Sequence, residues 1–113
     1  MIKKKIRNED LSKHEEITKD FGVLKFKPNE QKKMKIRYNN PDDFDKTFEI
    51  ESTDDETVNV RNKEINIESK TGEFIRLLFN APQTFGTYTV CIVVKNKNNQ
   101  EVEEVLRFQI EVN

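Results

Sequence analysis

The stretch IRYNNPDDFDKTFEIES, residues 36–52, decides the fold because its character changes twice. An alternating run of apolar and basic residues stops at Tyr38, and a polar Asn-Asn-Pro-Asp-Asp bend follows. Alternation then resumes, with glutamate instead of lysine and arginine at the outward positions. A period of two is typical of a β-strand with one buried face. We predict that the bend carries the chain from one sheet to another, so that the outward charge changes with the surface.

The composition indicates one folded domain. The chain has 113 residues, of which 34% are hydrophobic and 36% are charged, with a formal net charge of −1. Disordered chains combine low hydrophobicity with high net charge and few aromatic or β-branched residues. This chain is nearly neutral and has eight Phe among many Val and Ile. A chain of this length can bury one hydrophobic core.

Two-residue alternation continues from residue 21 to the end of the chain. The alternating segments are 21–28, 31–38, 45–52, 57–61, 64–67, 72–79, 86–95 and 103–112. Short strands separated by turn residues, without intervening helices, favour an all-β sandwich over βαβ units. We predict a β-sandwich of seven or eight strands over residues 21–113. Residues 1–20 are predicted to be a linker or a short helix, because Ser12 to Glu15 has capping-box spacing.

Residues suited to catalysis or metal binding are scarce. The only histidine, His14, lies in the predicted linker, and Cys91 lies within a strand, where burial raises the pKa of a thiol. A structural zinc site needs four Cys or His ligands, and three scattered glycines cannot form a phosphate loop. The acidic segments 42–45 and 54–56 lack the spacing of a calcium loop and are typical of turns. We predict a domain without enzymatic activity, catalytic residues, metal or cofactor.

The same composition indicates a compartment. Cys91 has no second cysteine to pair with, and the sequence contains no Asn-x-Ser/Thr acceptor site. Both features fit a reducing cytosol. The basic start of the chain is not followed by an apolar stretch, and no run of 18 apolar residues occurs, so we expect neither a signal peptide nor a membrane span.

Charge is segregated along the chain. Residues 1–40 have a net charge of +6 and residues 41–113 a net charge of −7. If segments 21–28 and 31–38 pair in one sheet, their outward cations share one face. The predicted partner-binding residues on that face are Lys25, Lys27, Lys33, Lys35, Arg37 and Arg76. We expect the outer face of the other sheet to carry Glu49, Glu51 and Glu111.

A simpler interpretation is that outward strand positions are charged only for solubility, although a solubilising surface usually mixes both signs. Nucleic acid fits the basic face poorly, because the face is rich in lysine and its aromatic residues point inward. The sequence pI of about 5.9 agrees. Binding to a membrane is disfavoured, because the lysines at positions 3–5 belong to no amphipathic helix of useful length.

Segment 86–95 has a second notable feature. If Val90 and Ile92 point inward, Cys91 and Val93 point outward and form an apolar spot. Such a spot could contact another domain. It could equally be covered by a loop or by the N-terminal segment, and the sequence leaves both alternatives open.

The order of these motifs resembles the major sperm protein (MSP) or ASH type of immunoglobulin-like domain. The resemblance rests on the Asn-Pro bend, on FEIEST at 48–53 and on LLFNAP at 77–82, which is followed by a glycine. Residues 79–112 also resemble the C-terminal domains of the nephrocystin-4 family. The resemblance implies a seven-stranded immunoglobulin-like sandwich in a non-enzymatic scaffold of cilia, basal bodies or centrosomes.

One branch of this superfamily, the vesicle-associated proteins, binds acidic peptides through a basic Lys-x-Lys-Thr-Thr-like strand. The corresponding stretch here, TFEIEST, has Glu49 and Glu51 at the basic positions. That binding site is therefore not carried over to this chain.

Together these observations predict a cytoplasmic protein-interaction domain of a larger scaffold. We expect it to dock through the basic face onto an acidic surface of another protein, of a neighbouring domain in the same chain, or of an acidic tail such as that of tubulin. The alternatives are a structural spacer without a partner site, and a module that binds microtubules or anionic lipid.

Overall fold

The structure is a computed structural model that describes residues 17–113, which form eight β-strands. In chain order the strands are β1 (Lys19–Phe26), β2 (Gln31–Asn39), β3 (Lys46–Ser52), β4 (Val58–Val60), β5 (Glu64–Ile67), β6 (Gly72–Asn80), β7 (Gly86–Asn96) and β8 (Val102–Val112). A five-stranded sheet, sheet A, has the order β1-β8-β7-β3-β5, and a three-stranded sheet, sheet B, has the order β2-β6-β4. The predicted all-β sandwich is confirmed.

The core lies between the two sheets, where the inward side chains of both meet. Phe48 and Ile50 of β3 and Leu77 and Phe79 of β6 are buried. The ring of Phe79 packs edge-on against Phe108, with 5.4 Å between ring centroids. Each buried side chain of this size contributes about 1.5–3 kcal/mol. Met34 and Ile36 of β2 are half-buried against the same core.

The position of β1 corrects one expectation. Residues 21–28 and 31–38 do not pair in one sheet, because β1 pairs in parallel with β8 and β2 pairs antiparallel with β6. The reason is a contact between distant residues. The ring of Phe21 stacks on that of Phe108, with centroids 4.6 Å apart, and this places β1 at the edge of sheet A.

The bend between β2 and β3 carries the chain from sheet B to sheet A, as the sequence predicts. The bend begins at Asn40, which is 1% exposed. The side-chain amide of Asn40 donates to the carbonyl oxygens of Phe44 and Ile67, both at 2.9 Å. Its side-chain oxygen accepts from the backbone N–H of Asp42 at 3.1 Å. The asparagine thereby ties together main-chain groups on both sides of the crossing between the sheets.

The predicted linker or helix over residues 1–20 falls mainly on residues 1–16, which lie outside the described residues. β1 begins at Lys19, two residues before the predicted start of the sandwich. Over residues 17–113, the structure has no helix that is long and apolar enough to cross a membrane.

Candidate protein-interaction surface

The outward side of sheet B carries a concentrated positive charge. Because β2 and β6 are antiparallel, Lys35 lies opposite Arg76, and Lys33 and Arg37 lie at the neighbouring outward positions of β2. Arg61 follows β4, and its backbone N–H donates to the carbonyl of Arg76 at 2.8 Å. We name this surface the basic face, and its cations are Lys33, Lys35, Arg37, Arg61 and Arg76.

The basic face has no acidic side chain at the outward positions of its strands. The remaining outward positions of β2, β4 and β6 are apolar, amide or glycine: Gln31, Asn39, Asn59, Gly72, Phe74, Leu78 and Asn80. Within residues 17–113, none of the five cations of the basic face forms an ion pair. No described carboxylate therefore neutralises them directly, and solvent and salt screen their mutual repulsion.

Apolar side chains lie among these cations. The Nζ atom of Lys35 is 4.5 Å from the centre of the Phe74 ring, and the guanidinium carbon of Arg37 is 5.8 Å from it. A Cβ at Gly72 would clash with Oδ1 of Asn39 and would lie 3.0 Å from Nε of Arg37, so glycine leaves room for both side chains over β6. These cation–π contacts hold both charged groups close to the sheet surface.

A groove of about 620 Å³ runs between the cations. Lys33, Lys35, Arg61 and Arg76 line its sides, and Leu78 contributes an apolar side chain. Gln31, Met34 and Leu77 complete the lining. The arrangement offers cationic donors around an apolar floor, which suits an acidic group attached to an apolar one.

Four of the six predicted partner-binding residues lie together on the basic face, namely Lys33, Lys35, Arg37 and Arg76. Lys25 and Lys27 do not, and this part of the expectation is wrong. Lys25 lies on the outer face of sheet A, opposite Glu111. Lys27 lies in the turn after β1, where its backbone N–H donates to the carboxylate of Glu30 at 2.9 Å. The separation follows from the pairing of β1 with β8.

Sequence reasoning missed Arg61. Alternation through Val58, Asn59 and Val60 points Arg61 outward, so a local signal for its direction was present. What the sequence did not reveal is that the three-residue strand β4 pairs with β6, which brings Arg61 beside Arg76.

The sequence suggested an acidic outer face for sheet A. In the structure this face is not uniformly acidic. Glu49, Glu51 and Glu111 lie there, but cations lie among them. Lys95 forms an ion pair with Glu51, and Arg107 forms one with Asp20. The hydrogen bond from Arg107 holds the pKa of Asp20 below its usual value. The outer face of sheet A therefore mixes both signs of charge, whereas the outward strand positions of sheet B carry only positive charge.

The outward apolar spot on β7 is covered. Cys91 and Val93 form a buried cluster with Val105, and Ile17 packs against it. Thr18 holds this edge in place, because its N–H donates to the carbonyl of Val105 and its hydroxyl accepts from the N–H of Val105, both at 2.9 Å. Of the two alternatives left open by the sequence, this contact supports a cover formed by the segment that precedes β1.

We expect the thiol of Cys91 to react at least about 100-fold more slowly in the folded domain than in the unfolded chain, because access requires local opening. Cys91 is 0% exposed, and burial raises the pKa of its thiol and so disfavours the reactive thiolate. Ellman's reagent, with and without guanidinium chloride, measures both rates. Similar rates in the two conditions would contradict this burial.

Comparison with known protein families and solved structures shows which family this chain belongs to. A family model described as NPH4 Ig-like domain 4 matches residues 12–113. No curated protein sequence matches the chain. Among solved structures, WR4, an MSP family member of C. elegans, superposes with a TM-score of 0.56 at 10% identity, covering 80% of this chain and 92% of that one. The seventh PapD-like (ASH) domain of human CEP192 gives 0.58 at 15% identity, covering 84% and 80%.

A family 123 glycoside hydrolase from Clostridium perfringens has a TM-score of 0.68 at 10% identity, but this chain covers only 25% of that enzyme. At these identities the structures share the fold alone. The predicted MSP and ASH type of sandwich and the nephrocystin-4 resemblance are both confirmed. The chain belongs to the family of the fourth immunoglobulin-like domain of NPHP4 (nephrocystin-4), a ciliary protein.

Proposed function

We propose that this domain is a non-enzymatic docking module of a ciliary, basal-body or centrosomal scaffold, and that its basic face binds an acidic surface of a partner protein. The observation that carries the proposal is the concentration of Lys33, Lys35, Arg37, Arg61 and Arg76 on the outer face of one sheet, where no outward strand position is acidic. The family supports the setting, because it is a non-catalytic domain of a ciliary protein.

The contrast between the two sheets argues against a purely solubilising role. On sheet A, Lys25 lies opposite Glu111, and Lys95 and Arg107 form ion pairs. This is the mixed pattern that keeps a protein soluble. The basic face on sheet B departs from that pattern, since its five cations stand together and form no ion pair within the described part of the chain. An acidic partner would reduce their repulsion.

The chemistry of the basic face suits carboxylates. Arg61 and Arg76 can each donate two parallel hydrogen bonds to one carboxylate, and Lys33 and Lys35 add point charges beside them. Such complementarity raises the association rate and fixes the orientation of the partner more than it adds affinity. The domain would thus select acidic surfaces and hold them in one register along β2.

Charge reversal tests this proposal. We expect the triple variant Lys33→Glu, Lys35→Glu, Arg76→Glu to bind a fluorescein-labelled decaglutamate peptide at least about tenfold more weakly than the native domain, a change of roughly 1.4 kcal/mol. Fluorescence anisotropy measures the affinity, and a thermal melt confirms that the variant folds. Native binding should also weaken as salt is raised, because exposed charges are screened within about 8–10 Å at physiological ionic strength.

A matched control carries the same change in net charge away from the basic face. The residues are Lys25, Lys27 and Lys63, which are all exposed, and all three become glutamate. We expect this control to retain most of the binding. Equal losses in the two triple variants, or an affinity indifferent to salt, would refute docking through the basic face. Absence of any binding by the native domain would favour the structural spacer.

A further inference from the structure

The bend between β2 and β3 presents an exposed phenylalanine on an anchored main chain. We name residues 41–45 the acidic turn. Phe44 is 62% exposed, and Asp43 and Asp45 beside it are exposed as well. The carbonyl of Phe44 accepts from the buried amide of Asn40, and the carboxylate of Asp45 accepts from the backbone N–H of Ser69, both at 2.9 Å. The ring is held in solvent by a backbone that is fixed on both sides.

An exposed aromatic ring on a fixed turn has the properties of an interface anchor. Aromatic residues dominate the binding energy of protein interfaces, and an anchored turn has little conformational freedom left to lose on binding. The carboxylates of Asp43 and Asp45 determine which pocket the ring can enter. Asp43 also forms an ion pair with Lys70 at 3.3 Å, but both side chains are largely exposed, so this pair is weak and can be exchanged for a cation of the partner. A complementary pocket must be apolar at its floor and cationic at its rim.

The groove on the basic face has this composition. Leu78 lies among Lys33, Lys35, Arg61 and Arg76, in a volume of about 620 Å³. A space of this size accepts a whole small-molecule ligand and therefore has room for one phenyl ring. The turn and the groove are complementary in both charge and polarity.

The two surfaces of one molecule cannot meet each other. The groove lies beside Lys33, near the start of β2, and the acidic turn follows the end of that strand at Asn39. At roughly 3.3 Å per residue, Lys33 and Pro41 are separated by about 25 Å of extended chain. The partner of the groove in such a contact must come from another molecule.

We propose that the acidic turn of one copy of this domain docks into the basic groove of a second copy, with Phe44 over Leu78 and Asp43 and Asp45 against the cationic rim. The contact is head-to-tail, so each copy uses a different surface. This proposal rests on the basic face of the proposed function and adds a second surface to it. Because the contact is small, we expect a dissociation constant of about 0.1–1 mM.

Complementation between two variants tests the contact. Sedimentation equilibrium of the native domain at low salt should show a rising average mass between about 10 μM and about 1 mM, which brackets the expected dissociation constant. The variants Phe44→Ser and Arg76→Glu should each remain monomeric.

An equal mixture of the two variants should form a dimer and no larger species, because Phe44→Ser retains the groove and Arg76→Glu retains the turn. Phe85→Ser is the matched control, since Phe85 is 71% exposed outside the turn, and it should associate like the native domain.

Three results would overturn the inference: a native domain that stays monomeric at the highest concentration, continued association of Phe44→Ser, or a variant mixture that stays monomeric. Lys35→Glu serves as a second groove variant if Arg76→Glu melts early. The proposed function is judged separately by the decaglutamate peptide. Phe44→Ser should leave peptide binding unchanged, whereas Arg76→Glu should weaken it.

Discussion

Replacing Phe79 with alanine will lower the free energy of unfolding by about 3–5 kcal/mol. Phe79 is 1% exposed and belongs to sheet B, whereas its two aromatic neighbours belong to sheet A. Its ring centroid lies 5.8 Å from that of Phe26 and 5.4 Å from that of Phe108. Alanine removes both contacts and leaves a cavity between the sheets. Domains of this size are stable by only about 5–15 kcal/mol, so the loss is a large fraction of the total.

Urea denaturation of both proteins, followed by circular dichroism, measures this difference. The control is Phe85→Ala, because Phe85 is 71% exposed and its replacement should change stability by no more than about 0.5 kcal/mol. A loss below about 1 kcal/mol for Phe79→Ala would mean that the two sheets do not meet at this ring.

Replacing Asn40 with alanine should cost about 2–3 kcal/mol, because a buried main-chain group left without a partner loses its full desolvation cost. Asn40 bonds to Phe44, Ile67 and Asp42, and its own backbone N–H donates to the carbonyl of Thr71. Alanine retains only the backbone bond. The carbonyl of Ile67 is then left without the Asn40 amide at the end of β5.

Thermal and urea denaturation give the size of this loss. The neighbouring Asn39 is exposed at the end of β2, and Asn39→Ala is the matched control with an expected change within about 0.5 kcal/mol. Equal stabilities for the two variants would show that the buried amide does not support the crossing between the sheets.

The strands of the sandwich could be predicted because the alternation that marks a strand is visible within a few consecutive residues. Met34, Ile36 and Tyr38 alternate with cations over a few residues, and this spacing alone fixes which side chains face inward. Pairing between strands is a different kind of information. Phe21 and Phe108 stack on each other although they are far apart in sequence. No local pattern in either segment predicts that the two segments pair.

The candidate site shows the same division. Lys33, Lys35 and Arg37 lie on one strand, so alternation was sufficient to place them on one face. Joining Lys25 to them required the partner of β1, which alternation does not supply, and that step failed. Arg61 was missed for the converse reason. Its direction was readable, but its position beside Arg76 depends on the pairing of β4 with β6.

The parallel pairing of β1 with β8 has a mechanical consequence. Since the two strands run in the same direction, a pull on the domain through Lys19 and Val112 acts at opposite ends of the pair. Such a load shears the strands along their length and strains their backbone hydrogen bonds together, whereas an antiparallel pair pulled at one end would unzip bond by bond. We therefore expect this edge of the domain to resist tension applied through its two ends better than an antiparallel edge would.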